Sequence, residues 1–133
     1  MKKRIIAAVI AVLMLVSCVP FLSGCKAGVE YILNEDNSSY AVRVTGFAGA
    51  FGGEVIIPET YGEGENQFPV TAIASQGFAS TNISKITIPK TVKNIGISAF
   101  MYCNNLQEVI FEEGSEIEAI LNGTFAACER LVS

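Results

Sequence analysis

Histidine is absent from all 133 residues. Ser/His/Asp and Cys/His nucleophile arrangements are therefore excluded, as are histidine metal sites, and acid–base chemistry loses its commonest base. Basic residues are scarce, nine against thirteen acidic ones. Those beyond residue 25 are Lys26, Arg43, Lys85, Lys90, Lys93 and Arg130, and they form no tight run. Capture of a phosphate backbone needs clustered Lys and Arg, so no nucleic acid partner is expected. A phosphate loop is also missing: Gly62, Glu63, Gly64 lacks the following Lys and Ser or Thr, and reads as a turn. The nearest approach to paired carboxylates is Glu112, Glu113, Glu116 and Glu118, which fall in a segment read as a solvated acidic loop. No Asp-rich spacing supports a calcium site there. Asn37, Asn82 and Asn122 head Asn-x-Ser/Thr triplets, which arise often by chance. No catalytic residue, metal set or cofactor site emerges, and a non-enzymatic role is expected.

What is present begins with an export signal. Met1, Lys2, Lys3 and Arg4 are followed by the unbroken apolar run Ile5 to Val16, then by Leu22, Ser23, Gly24 and Cys25. Basic residues stay at the cytoplasmic face while the apolar run enters the translocon, leaving small residues open to a peptidase. Ile5 to Leu22 is 18 residues, the lower end of a spanning length, so a retained anchoring helix is the alternative. Leu22-Ser23-Gly24-Cys25 resembles the bacterial lipobox, which implies acylation of Cys25 and cleavage before it. Leu15-Val16-Ser17-Cys18 also fits, but the chain stays apolar after Cys18 and turns polar directly after Cys25. Several acyl chains on one cysteine anchor stably where a single chain binds only marginally. Cleavage removes Lys2, Lys3 and Arg4, leaving six basic against thirteen acidic residues, a net charge of −7.

From residue 83 onward the sequence copies itself. Ile83, Ile86, Ile88, Val92, Ile95, Ala99, Phe100 and Cys103 recur as Leu106, Val109, Phe111, Ile117, Ile120, Thr124, Phe125 and Cys128, and Leu131 opens a further copy. The spacing is 23 residues from Ile83 to Leu106 and 25 from Leu106 to Leu131. A looser earlier copy uses Val55, Ile57, Pro58, Val70, Ile73 and Phe78, with extra residues around Tyr61 to Phe68. Insertions at one fixed place read as a surface loop. Each unit reads as a short strand with inward residues such as Ile86 and Ile88, closed by Pro89, which cannot donate to a sheet ladder. A second inward pair follows, and then Ser98, Ala99, Phe100 brings in an aromatic where the chain folds back, through an expected short helical turn. One coil cannot bury its own apolar edge, so stability must come from stacking.

This pattern resembles the BspA-type subclass of leucine-rich repeats over Glu54 to Val132. Glu112 and Thr124 depart from it where Pro and Ala would stand, and Ser80 or Thr81 stands where a cysteine would. The resemblance implies a mainly β solenoid with short helical or 3-10 turns, whose core holds Ile57, Ile73, Phe78, Ile86, Ile88, Ile95, Phe100, Leu106, Val109, Phe111, Ile120 and Phe125. Cys103 and Cys128 would lie about one strand spacing apart, roughly 5 Å, within reach of a disulfide in an oxidising compartment. Stacked equivalents have parallel Cβ vectors, which favours a ladder of buried thiols, and the resemblance implies the same.

Tyr31 to Leu33 and Tyr40 to Val44 are strand-like around the turn-rich Glu35 to Ser39, so a hairpin that caps the first coil is expected. The resulting organisation is a signal peptide (1–24), a lipid-anchored linker (25–29), a capping hairpin (30–53) and repeats (54–133), divided at 54–82, 83–105, 106–130 and 131–133. No comparable cap follows Leu131, which suggests either a truncated array or a core completed by self-association. The outward residues of the strand ladder should form two rows: Glu54, Lys85 and Glu108, and Ile56, Thr87 and Ile110. They serve either as an ordinary sheet surface or as a protein-binding patch.

The resemblance implies a cell-surface adhesin that engages host or partner-cell proteins, held at the bacterial surface or envelope by lipid on Cys25. A self-associating structural envelope lipoprotein is one alternative. A non-catalytic targeting segment of a larger secreted repeat protein or enzyme is another.

Overall fold

The computed structural model describes residues 27–46 and 48–132. Cys18, Cys25 and the export signal lie outside the described residues. Among the described residues nine strands run in order: β1 (Gly28–Leu33), β2 (Tyr40–Thr45), β3 (Gly52–Ile56), β4 (Thr60–Tyr61), β5 (Phe68–Ile73), β6 (Asn82–Ile88), β7 (Asn94–Ile95), β8 (Glu108–Phe111) and β9 (Ala119–Ile120). Among the described residues there is no α-helix, and 3-10 turns occupy Ala48–Ala50 and Gly64–Asn66.

The strands form two ladders. β3, β6 and β8 pair in parallel, one strand from each coil. β2, β5, β7 and β9 pair in parallel in the second, with β1 antiparallel beside β2 and β4 antiparallel beside β5. The inward positions of both ladders are apolar, and Ile86, Ile88, Val92 and Ile95 are fully buried between them. Coils meet in parallel because each returns to the same place after one repeat, a return that a hairpin cannot make.

The third side of each coil is the fold-back. The expected helical turn is replaced by consecutive i→i+3 turns, with the Ala99 amide donating to Gly96 O, Met101 to Ser98 O and Cys103 to Phe100 O. Two positions in each turn take left-handed backbone, Gln76 and Ser80 in the first, Ser98 and Tyr102 in the second, Gly123 and Ala127 in the third. Such kinks stop a helix from propagating. They also align the turns for a ladder of their own: Gln76, Phe78 and Ser80 donate to Ile97, Ala99 and Met101, and Ser98, Phe100 and Tyr102 donate to Asn122, Thr124 and Ala126.

Inside this turn the phenylalanines stack. Phe78 and Phe100 have ring centroids 5.4 Å apart at 21°, and Phe100 and Phe125 5.4 Å apart at 8°. Phe51, 6.5 Å from Phe78, extends the row toward the hairpin. Gly96 permits the close approach, since a Cβ there would collide with the Ser75 amide. Beneath the rings, Thr81 takes the place of a cysteine: its hydroxyl donates to Phe78 O at 2.8 Å, and the Cys103 thiol reaches the same carbonyl at 3.0 Å. Cys128 does likewise to Phe100 O at 3.0 Å. Both cysteines are free thiols. The other departures are also accommodated, because the Thr124 hydroxyl bonds Leu121 O and the Glu112 amide extends the strand ladder to Ile88 O, a bond proline could not make.

The 28–45 hairpin turns on Asp36, whose carboxylate accepts from the Ser38 amide and the Ser39 hydroxyl. Those bonds hold its pKa below the usual carboxylate value, the Ser39 hydroxyl contributing most. The extra residues around Tyr61 to Phe68 are a β4–β5 hairpin rather than a plain loop, and Tyr61 stacks on Tyr31 with centroids 4.0 Å apart.

The core expectations need four corrections. Ile57, Ile73, Phe78, Ile86, Ile88, Ile95, Phe100 and Leu106 are buried, but Phe111 is 38% and Ile120 49% exposed, and Val109 and Phe125 are only half-buried. All four lie in the last described coil, where, among the described residues, a residue has a stacked neighbour on one side only. Fully buried Phe100 should therefore cost more to truncate than Phe125. We expect Phe100→Ala to lose about 3–5 kcal/mol in urea unfolding, and Phe125→Ala clearly less; equal losses would show that stacking does not set the difference.

Burial raises the pKa of the Cys103 thiol, partly offset by its bond with Thr81, and burial also raises that of Cys128. An unfolded thiol ionises near pH 8.5. Above that value the unfolded chain releases protons that the folded chain keeps, so stability is intact below about pH 8.5 and falls as pH rises through the folded values. The difference in unfolding midpoint between neutral and alkaline pH should shrink in a Cys103→Thr, Cys128→Thr double variant, and an unchanged difference would rule the thiols out.

Candidate functional site

The outer surface of the β3–β6–β8 sheet is built by strand alternation. Val55, Ile86 and Val109 pair with one another and point inward, so their neighbours on either side point out. The register places Glu54 opposite Lys85 and Lys85 opposite Glu108, and places Ile56 opposite Thr87 and Thr87 opposite Ile110. Two rows thus cross three coils on one face.

Their chemistry differs. In the first row Lys85 Nζ lies 3.1 Å from Glu108 Oε2. Both side chains are partly solvated, so the pair contributes a few tenths of a kcal/mol, enough to favour register. In the second row Ile56 is 75% exposed, while Thr87 and Ile110 are half-buried. Ile56 sits on the first strand of its ladder, and among the described residues no earlier strand pairs with β3. An exposed β-branched side chain on a rigid parallel strand loses little entropy on contact with a partner.

An asparagine step flanks the entrance to this face, a feature the sequence reading missed. Asn82 donates to Gly49 O, and Asn105 Nδ2 donates to Asn82 Oδ1 at 3.3 Å. The signal that could have found it is the recurrence of Asn82 as Asn105 at the same place in the next coil. The step ties the start of β6 to the residues before β3 and to the approach to β8.

Elsewhere, an open cleft of 420 Å³ lies between the end of β2 and the first fold-back, lined by Arg43, Val44, Thr45, Gly46, Ser75, Gln76 and Gly77. Arg43 is tied to Glu30 at 2.7 Å. Its walls bring together no nucleophile and base. Among the described residues no group of three Cys, Asp or Glu side chains is gathered as metal ligands.

The sequence profile described as "BspA type Leucine rich repeat region (6 copies)" matches residues 65–133. No curated protein matches. Among solved structures, the chain is similar to a leucine rich cell surface protein from Faecalibacterium prausnitzii, with 28% identity and a TM-score of 0.63 over 77% of this chain and 27% of that one. It is also similar to a leucine-rich repeat protein from Bacteroides ovatus, with 25% identity and a TM-score of 0.65 over 79% and 27%. A leucine-rich repeat protein from Bacteroides capillosus gives 31% identity and a TM-score of 0.50 over 62% and 60%. The chain thus spans between 27% and 60% of the length of these proteins. With a matching profile over more than half of its residues and two parallel ladders of stacked coils, the chain belongs to the BspA-type leucine-rich repeat family.

Proposed function

We propose that the protein is a cell-surface lipoprotein whose repeat face binds other proteins, with no chemistry of its own. The observation that carries this reading is Ile56, 75% exposed and separated from Ile110 by Thr87 in one outward row of the parallel ladder, with a charged row at its flank. An apolar anchor ringed by polar groups is the arrangement that concentrates binding energy at protein interfaces. The surface location is supported by the similar Faecalibacterium prausnitzii protein, which carries that description. Membrane attachment follows from the lipobox-like sequence ending at Cys25, and residues 30–53 act as the cap of the array.

Glutamate substitutions at the two isoleucines leave the inward residues untouched. Beads coated with the purified protein should be retained on partner-cell layers, and Ile56→Glu with Ile110→Glu should weaken retention by roughly 30-fold or more, the loss of one binding hot spot of about 2 kcal/mol. Unchanged retention with an unchanged unfolding midpoint would remove the face from consideration. Attachment is tested separately by labelled palmitate. Incorporation should disappear in Cys25→Ala and persist in Cys18→Ala; the opposite result would move the anchor to Cys18.

A further inference from the structure

The fold-back turns of this solenoid carry no charge. Residues 74–81, 96–103 and 121–128 contain no Asp, Glu, Lys or Arg, whereas the loops that join the two ladders, 57–67, 89–93 and 112–118, hold nine such residues. Loops and fold-backs lie at opposite ends of the strands. The chain runs out along a strand of the β3–β6–β8 ladder to a loop, and returns along a strand of the other ladder to a fold-back. Ile97 and Tyr102 are each 53% exposed on the uncharged side. Their coil has a neighbour on both sides, since Gln76 and Ser80 donate to the carbonyls of Ile97 and Met101, and Ser98 and Tyr102 donate to those of Asn122 and Ala126. Stacking therefore leaves these two side chains outside. Next to them, the exposed residues of the preceding fold-back are Ser75, Gln76 and Ser80, all uncharged.

The start of the hairpin reaches the same side. Gly28 pairs with Thr45, and β2 runs on past the end of β5, so that the Val44 amide donates to Gly77 O in the first fold-back. Arg43 to Gly46 and Ser75 to Gly77 line one cleft there. Cys25 precedes Gly28 by three residues, a length of chain that spans no more than about 11 Å. The charged pair at this place, Arg43 and Glu30, is matched within itself at 2.7 Å. Glu35 and Asp36, at the hairpin's acidic tip, follow the opposite end of β1.

We propose that the fold-back side is a membrane-facing surface, occupied by the bilayer that holds the N-terminal anchor, with Ile97 and Tyr102 seated at headgroup level. The inference rests on the reading of the protein as a membrane-attached lipoprotein. A charged group pressed against a low-dielectric surface loses hydration, and an anionic leaflet repels an acidic chain. The fold-back side avoids both costs and lies within a few residues of the attachment point. Isoleucine gains by leaving water, and tyrosine, with an apolar ring and a polar tip, suits the interface. The strands of both ladders then run away from the lipid and back, and Ile56, at the loop end of β3, is held clear of it.

The chain contains no tryptophan, so Ile97→Trp, Tyr102→Trp and Ile56→Trp each place a single reporter at an exposed position. Full-length product purified from membranes is reconstituted in vesicles of phosphatidylcholine and phosphatidylglycerol, with or without lipids brominated near the top of the acyl chain. Emission of the Ile97→Trp and Tyr102→Trp proteins should shift to the blue and fall roughly twofold or more with brominated lipid, since interfacial side chains sit about 5–10 Å into the headgroup and acyl boundary. Ile56→Trp should show neither change. Adding Ile97→Glu to Tyr102→Trp should restore most of the emission while the protein stays on the vesicles. No quenching at positions 97 and 102, or equal quenching at 56, would overturn the surface. A blue shift at 102 that grows with protein density and ignores bromine would overturn the bilayer in favour of a second copy. Intact mass of the same sample reads the anchor separately. Acylated protein without quenching overturns the surface alone, whereas quenching in protein without acyl chains overturns the lipid anchor alone, because the apolar run Ile5 to Val16 would attach the same end of the chain.

Discussion

Stacking of one coil on the next is the constraint on which everything else in this protein depends. No coil has a core of its own. Phe100 is buried because Phe78 and Phe125 lie 5.4 Å on either side, and Ile86 and Ile88 are buried because strands of adjacent coils flank β6. The stack is held on all sides of the coil by the same device, a row of backbone hydrogen bonds running between equivalent residues. Two rows are sheet ladders, and the third is the ladder of fold-back turns. Small groups hold the tight corner: Gly96 admits the neighbouring Ser75 backbone, and Thr81, Cys103 and Cys128 bond the carbonyls left under the rings.

A stack of this kind turns each outward strand position into a row. Glu54, Lys85 and Glu108 align because each coil repeats the register of the one before, and Ile56, Thr87 and Ile110 align for the same reason. The array can therefore change its surface chemistry without disturbing its interior, since inward and outward residues alternate along each strand. The charged residues use this freedom: Lys85 and Lys93 pair with Glu108 and Glu118 of the next coil, and Lys90 with Glu59 of the one before, all outside the core.

At the other end the 28–45 hairpin is part of the stack rather than an appendage. Its second strand continues the parallel ladder of β5, β7 and β9, and its first strand covers that ladder's edge in antiparallel register. Tyr31 and Tyr61 join it to the β4–β5 hairpin. Aromatic contact between these two irregular segments replaces the phenylalanine stacking of the regular coils.

Much of this was legible in the sequence because a repeat writes its packing out several times. Comparison of Ile83 to Cys103 with Leu106 to Cys128 identifies the inward positions, the fold-back aromatic and the outward rows, and one coil period per copy requires parallel register. The fold-back, by contrast, reads as helical in the sequence, because its two left-handed positions, Ser98 and Tyr102, carry no glycine to announce them. The hairpin's place in the second ladder and the role of Gly96 involve residues that share no repeat pattern. Burial in the last coil was decided by tertiary structure alone. Ile95 and Ile120 are the same residue type at equivalent positions, yet one is enclosed and the other half open. Sequence determines which way a side chain points, through the period of its strand; whether it is buried depends on the neighbouring coil that stands against it.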